Sequence, residues 1–198
     1  MRTIALGLAG MIAVAAVAAV AAVAAAASGP SPYAGFADRP IRALSAEQIG
    51  DLRAGRGMGL ALAAELNGWP GPVHILELAD GLGLSAEQRR RTQTLFERMQ
   101  AEARRLGERL IAEEIALDAA FRDRSIDKAV LLDRLRGIGS LQAELRAVHL
   151  GAHLEQVGLL TQDQVAAYTR LRGYTESTGS GPSRPASPPT PHRGHGAP

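Results

Sequence analysis

Two histidines, His149 and His153, have the spacing best suited to a chemical role in this chain. In a helix, residues at i and i+4 rise from the same side, so these two imidazoles can bind one metal ion. Imidazole nitrogen suits Zn, Ni, Co and Cu, and we therefore predict a site for a divalent transition metal. Because an imidazole must be neutral to bind a metal, the affinity should rise with pH. A structural interpretation also stands, in which the pair hydrogen-bonds to a carboxylate or to water at the rim of a helix.

Further metal donors depend on how the predicted helices are arranged. Two long helices are joined by a short link near residue 124, and a hairpin with that link sets the two histidines opposite residues 96 to 100. Carboxylate and thioether groups of the first long helix are then close enough to bind the same metal ion. A second pair of possible ligands, at i and i+3, lies on a shorter helix. The predicted metal ligands are His149, His153, Met99, Glu97, Glu102, His74 and Glu77.

A run of arginines along the first long helix favours a different role. Such a run most often forms a solvent-exposed helix face of mixed charge. Arginine stems also cover apolar surface while their guanidinium groups stay in water, so such a face can hold unfolded client proteins weakly and reversibly. The predicted client-binding residues are Arg98, Arg104, Arg105 and Arg109.

The elements that must position these residues are all helices. Apolar residues recur every three or four positions over about 85–122 and again over about 126–158, the period of an α-helix. Only residues 123–125 separate the two, so the helices must fold back antiparallel. Shorter helices are predicted over about 45–66, 70–79 and 161–172. The apolar stripes are Leu95, Met99, Ala103, Leu106, Leu110, Leu117 and Phe121, then Ile126, Val130, Leu135, Ile138, Leu141, Leu145, Val148 and Ala152.

The predicted fold class is therefore all-α, a long antiparallel helical hairpin with short flanking helices. A hairpin alone buries little apolar surface, and we expect a homodimer to complete the core. Glu113 and Glu114 fall between apolar positions of the first stripe, so at least one carboxylate must be paired or carry a raised pKa. We predict a salt bridge to Arg136, with metal binding as the alternative role for this pair.

Enzyme activity is not expected. The glycine-rich segment 55–59 follows no strand, lacks the rest of a phosphate-binding fingerprint, and is better explained as a close-packing or bending point. No serine stands in a nucleophile elbow, and the chain has no cysteine, which excludes thiolate catalysis.

Three capping phrases carry a family resemblance: LSAEQ at 44–48, LSAEQ at 84–88 and LTQDQ at 160–164. In each, the hydroxyl residue can accept from a free helix amide and the glutamine can reach back, so each phrase predicts a helix start. Repeated through a helical chain, they resemble the LTXXQ proteins of the Spy and CpxP type, and residues 63–88 and 144–164 are similar to the periplasmic heavy-metal sensor and resistance branch.

The resemblance implies a Spy/CpxP-like fold and a periplasmic heavy-metal-binding sensor or resistance accessory protein in the envelope stress response. An ATP-independent chaperone is the alternative that the same family offers. The sensors of this branch take ligands from a His-x3-His or His-x3-Met pair, which His149 and His153 match. His74 departs from the pattern, since Leu78 stands four residues on. Expected partners are a second copy, unfolded proteins, or a membrane-bound signalling protein.

The chain ends and the charge balance complete the predicted organisation. Residues 1–27 are an uncharged Ala/Val run after Arg2, ending in Ala-Ala-Ala, which predicts a cleaved signal peptide or an inner-membrane anchor. We predict a linker over 28–40, one helical domain over 41–174, and a disordered Pro/Gly/Ser-rich tail over 175–198. The 22 basic and 20 acidic residues nearly balance, which argues against a dedicated nucleic-acid binder.

Overall fold

The computed structural model describes Gly29 and residues 31–174, and in this part of the chain it contains helices and no strand. The predicted all-α class with a long helical pair is confirmed. None of the helices within the described residues combines the length and apolar composition needed to cross a bilayer. The predicted signal peptide or anchor and the predicted tail lie outside these residues. A 3₁₀ turn, Ala34–Phe36, precedes α1 (Ala46–Ala54), α2 (Leu62–Glu65), α3 (Pro72–Glu77), α4 (Ala86–Arg122), α5 (Lys128–Val157) and α6 (Gln162–Leu171).

The chain divides into two compact units. The first contains the described residues up to Leu60 together with Glu97–Gly151, and the second contains Ala61–Phe96 together with the described residues from Ala152 onward. Because the boundaries fall inside α4 and α5, each unit contains a segment of both long helices.

Helix α1, in the first unit, begins at a capping box and is shorter than predicted. Ser45 Oγ accepts from the Gln48 amide at 3.1 Å, and Gln48 Oε1 accepts from the Ser45 amide at 2.8 Å. The predicted continuation to residue 66 is wrong, because Gly55 adopts a left-handed φ of 67° and ends the helix. A Cβ at Gly55 would lie 2.8 Å from the carbonyl oxygen of Gln100, so this is also a point of close packing.

Helices α4 and α5 run antiparallel in the first unit. Glu113 Oε2 lies 2.9 Å from Arg134 Nη1, and Arg109 Nη1 lies 3.9 Å from Glu144 Oε2, so earlier residues of α4 pair with later residues of α5. The core of this unit contains Ile41, Leu52, Ala103, Leu106, Leu110, Ile111, Ile138, Leu141 and Leu145.

The prediction that one of the two adjacent glutamates, Glu113 and Glu114, forms a salt bridge is confirmed, but the predicted partner is wrong. Arg134, not Arg136, pairs with Glu113. Two residues along a helix turn the side chain by about 200°, and Arg136 is accordingly exposed. The neighbouring Glu114 has a pKa raised by burial, as expected for an acid on the apolar stripe.

The end of this hairpin differs from the predicted core. No residue from 112 to 137 is buried, because the core ends at Ile111 on α4 and begins at Ile138 on α5. The expectation that Phe121, Val130 and Leu135 belong to a buried stripe is therefore wrong, since all three are exposed.

The second unit packs α6 against the region around α3. Ile75, Leu82 and Tyr168 are its buried apolar cluster, with partly buried leucines around them. The two remaining capping boxes begin helices here: Ser85 Oγ accepts from the Gln88 amide at 3.1 Å, and Thr161 Oγ1 from the Gln164 amide at 3.2 Å. All three predicted helix starts are confirmed.

Candidate functional site

The exposed apolar side chains around the α4–α5 connection form the first candidate site, which we call the hairpin end. They lie within about two helical turns of the connection. Each is between 38 and 55 % exposed, which is large for residues of this size on regular helices. Exposed apolar groups of this kind mark surfaces for protein or membrane contact when they occur together. The hairpin end consists of Ile115, Phe121, Val130, Leu132 and Leu135.

Charged side chains of both signs lie near the α4–α5 connection. Arg122 lies 3.6 Å from the Asp118 carboxylate and 3.4 Å from that of Asp123. Arg42 also binds Asp118, with both carboxylate oxygens accepting from its Nη1 at 2.8 and 3.1 Å. The hairpin end therefore lies close to paired charges of both signs, which suits weak contacts with chains of either charge.

The four predicted client-binding arginines are all exposed in the first unit. Arg104 donates to the Ala54 carbonyl at 3.3 Å, Arg105 donates to Glu102 at 2.9 and 2.5 Å, and Arg109 lies 3.9 Å from Glu144. The hydrogen bond from Arg105 is the largest cause that lowers the pKa of Glu102, and it raises the pKa of Arg105. Arg98 is exposed as well.

Among the predicted metal ligands of the first unit, His149 and Met99 are buried and Glu97 is exposed. The ring of His149 lies against Gly57, where a Cβ would be 3.7 Å from Nδ1. Glu102 is bound to Arg105, as described. Within the described residues, no three or more histidine, cysteine, aspartate or glutamate side chains form a group that could hold a metal ion.

His153, in the second unit, is buried and has a defined orientation. Its Nδ1 lies 2.6 Å from the carbonyl oxygen of Trp69 and 3.8 Å from Glu65 Oε2. A carbonyl can only accept, so Nδ1 carries the hydrogen and the neutral ring has its lone pair on Nε2. Beside Nε2 stands Gly71, where a Cβ would lie 2.7 Å from this nitrogen. The glycine thus packs closely against this edge of the ring, where any larger residue would collide with it.

The second predicted pair, His74 and Glu77, is formed on α3. His74 Nδ1 lies 3.0 Å from Glu77 Oε2, as the i, i+3 spacing predicts. Glu77 Oε2 is also 3.9 Å from Arg172 Nη1, so the carboxylate faces a cation on one side and an imidazole on the other.

Sequence reasoning missed the buried carboxylate of Glu65, which is 6 % exposed. Its Oε1 accepts hydrogen bonds from the hydroxyl of Tyr168 and from that of Tyr174, the latter at 3.2 Å. Its Oε2 accepts from the Gly71 amide at 3.3 Å. Burial, and then the bond to Glu65, raise the pKa of Tyr168. In the sequence, Glu65 looks like an ordinary acidic residue of a helix. The two tyrosines near the end of the domain were only a weak indication that a buried acceptor is present.

Comparison of the chain with protein-family models, with curated proteins and with solved structures finds no match. Support for a function therefore comes from the residues and their contacts.

Proposed function

We propose that this protein is an exported, ATP-independent holder of unfolded client proteins in the bacterial envelope, Spy/CpxP-like in fold and homodimeric. The observation that carries the proposal is the exposure of the hairpin end. Unfolded chains display apolar side chains, and large exposed apolar groups on rigid helices offer them contacts without any energy source. The charged side chains near the connection limit how much apolar surface a client can remove from water, which keeps binding reversible.

The exposed arginines extend this surface along α4. Because Arg104, Arg105 and Arg109 have partners in their own unit, their aliphatic stems have defined positions and can lie against apolar client segments. Clients with acidic groups would compete for the guanidinium groups. We therefore expect the apolar hairpin end to carry most of the affinity and the arginines to modulate it.

The test is suppression of aggregation without ATP, followed by light scattering of a chemically denatured client. The variant replaces Phe121, Leu132 and Leu135 by Ser, and the matched control replaces Leu62, Leu66 and Leu154, which are 54 to 59 % exposed in the second unit. We expect the first variant to lose most of the protection and the control to retain it. Equal losses would assign binding to general surface hydrophobicity, and no protection by the wild type would end the proposal.

A second candidate function, binding of a divalent transition metal as a heavy-metal sensor or resistance protein, is favoured by the orientation of His153. Metal-bound histidines usually donate their other ring N–H to a carbonyl or carboxylate, as Nδ1 of His153 does to Trp69. Imidazole nitrogen is a ligand for Zn, Ni, Co and Cu, the ions that the sequence predicts for His149 and His153.

Calorimetric titration with these ions tests the metal candidate. The background chain should carry His192→Ala and His195→Ala, because the tail histidines would add weak binding of their own. In that background, we expect His149→Ala with His153→Ala to abolish the binding heat and the metal-induced rise in melting temperature. Unchanged heats would show that the pair is structural.

A further inference from the structure

The second unit has exposed apolar side chains of its own. Leu62 and Leu66 are one helical turn apart, and Trp69 folds back towards them because its amide donates to a carbonyl of α2 at 3.1 Å. Leu154 follows His153, whose Nδ1 is bonded to the Trp69 carbonyl at 2.6 Å. These residues therefore lie near one another and form what we call the Trp69 face: Leu62, Leu66, Trp69 and Leu154, each 41 to 59 % exposed.

Trp69 is held so that its side chain stays in contact with water. Its amide and its carbonyl are both hydrogen-bonded, and the next residue, Pro70, is fully buried. The tryptophan itself nevertheless remains 41 % exposed. An aromatic ring fixed in this way, with leucines beside it, is the kind of surface on which proline-rich segments dock.

The chain beyond the described residues contains a segment of that chemistry. Residues 182–191 read PSRPASPPTP, with proline at every third position. A polyproline II helix has three residues per turn, so those four prolines would share one edge of it. Because proline fixes its own φ, such a segment loses little conformational entropy when it binds. The prolines of this edge are Pro182, Pro185, Pro188 and Pro191, whereas Pro189 and Pro198 fall off it.

The proline-rich segment is connected to the second unit close to the Trp69 face. The hydroxyl of Tyr174, the last described residue, donates to Glu65 Oε1 at 3.2 Å, and Glu65 directly precedes Leu66. Glu65 and Trp69 are only four residues apart. Residues 175–181 can span about 23 Å when extended, so the prolines that follow them can reach the indole of the same chain.

We propose that residues 182–191 dock as a polyproline II helix on the Trp69 face of their own chain, with the proline edge against the indole. Charge supports this occupant, since the exposed carboxylate of Glu155 stands next to Leu154 and can pair with Arg184, which lies between two prolines of the edge. The docked segment covers apolar surface of the second unit, a role that does not depend on client or metal binding.

The fluorescence of Trp69 tests this docking, because the chain has no other tryptophan. In the full chain, Pro185→Ala with Pro188→Ala removes two prolines of the edge. Pro189→Ala with Pro198→Ala is the matched control, which removes two prolines that lie off the edge. We expect the first variant to emit at longer wavelength and to be quenched more strongly by acrylamide than the wild type, and the control to match the wild type. Circular dichroism should show the same helix content in all three.

Equal quenching of the wild type and the edge variant overturns the docking, and an equal rise in the control overturns the proline edge. Protection of Trp69 that is lost on dilution would assign the segment to the face of a second copy instead. The site is tested in a background with Leu66→Ser and Leu154→Ser, where the edge variant should cause no further rise in quenching. A rise as large as in the wild-type background would place the segment elsewhere. None of these measurements uses a client or a metal, so their failure is distinct from failure of the proposed function.

Discussion

The side-chain amides of Gln88 and Gln164 bind each other in both directions. Gln88 Nε2 donates to Gln164 Oε1 at 2.8 Å, and Gln164 Nε2 donates to Gln88 Oε1 at 3.1 Å. Each oxygen also accepts from the amide of its own N-cap residue, and each Nε2 also donates to a backbone carbonyl, of Leu159 or Leu82. The repeated capping phrase therefore joins the starts of α4 and α6, besides beginning each helix.

The glutamine pair should show energetic coupling. Replacing Gln88 or Gln164 by Ala removes a cap bond and a cross-helix bond at once, and leaves the other amide short of a partner in a half-buried position. We expect each single variant to lose about 2 kcal/mol of unfolding free energy, and the double variant to lose about 1 kcal/mol less than the sum. Denaturant unfolding of the three variants measures this coupling.

Gln48 provides the control for this comparison of single and double variants, because it occupies the same position of a capping box but is exposed. Gln48→Ala should cost about 1 kcal/mol or less. Strict additivity of the Gln88 and Gln164 losses would contradict an energetic role for their mutual bonds.

Gly107 is predicted to be irreplaceable at the crossing of α1 and α4. A Cβ there would lie 2.4 Å from the carbonyl oxygen of Leu52, and backbone cannot move aside as a flexible side chain can. Gly107→Ala should therefore lower the unfolding free energy by about 1 to 3 kcal/mol despite the better helix propensity of Ala. Gly139→Ala on α5, with nothing within 4 Å, should raise it by about 0.5 to 1 kcal/mol. Equal effects on the midpoint of thermal unfolding would refute the close crossing.

The helices could be predicted because their signals are local. A 3.6-residue apolar period and a capping box depend on neighbours in sequence, and the predicted starts of α4, α5 and α6 lie within two residues of the observed ones. Burial depends on distant elements instead. Leu135 and Ile138 share one stripe, yet only Ile138 is covered by the core of its unit.

The contacts of the candidate sites likewise divide into local ones, which could be predicted, and long-range ones, which could not. His74 and Glu77 are paired by local helical spacing, so their contact could be predicted. Glu65 meets the hydroxyl of Tyr168 across 103 residues and that of Tyr174 across 109, and no pattern in the sequence encodes such contacts. The exposed hairpin end could not be predicted either, because its apolar period is the same as that of the core.

Glu114 should make stability depend on pH in the acidic range. Its pKa is raised above 4.5 by burial, so the folded state holds this proton more tightly than the unfolded chain. Between the unfolded and folded values, the folded state binds more protons, and the stability contributed by this group falls as pH rises through that window. Glu114→Gln should therefore raise the melting temperature at pH 7 by about 1 to 2 °C, with a smaller gain at pH 4.

The adjacent Glu113 is the control for that measurement. It bonds to Arg134 at 2.9 Å, so Glu113→Gln removes an ion pair and should lower the melting temperature at pH 7 or leave it unchanged. If Glu114→Gln destabilises the protein at pH 7 as much as Glu113→Gln does, burial is not what sets the pKa of Glu114.

Tyr168 should limit stability in alkaline solution. Burial is the largest cause that raises its pKa above 10.0, and the hydrogen bond to Glu65 adds to it, because a phenolate beside a carboxylate in the interior is strongly disfavoured. The unfolded chain therefore releases the proton near pH 10 while the folded protein keeps it. Stability then falls as pH rises from 10, by at most about 1.4 kcal/mol per pH unit for this one group.

Urea unfolding at pH 9 to 11.5 checks this dependence. Tyr168→Phe should be less stable than the wild type at pH 8, since Glu65 loses a donor, but its stability should fall less steeply above pH 10. Tyr33→Phe is the matched control: Tyr33 is 70 % exposed, and loss of its hydroxyl should leave the pH dependence as steep as in the wild type. A slope in Tyr168→Phe as steep as that of the wild type would mean that the alkaline loss arises elsewhere, and that the Glu65 carboxylate does not keep the Tyr168 hydroxyl protonated.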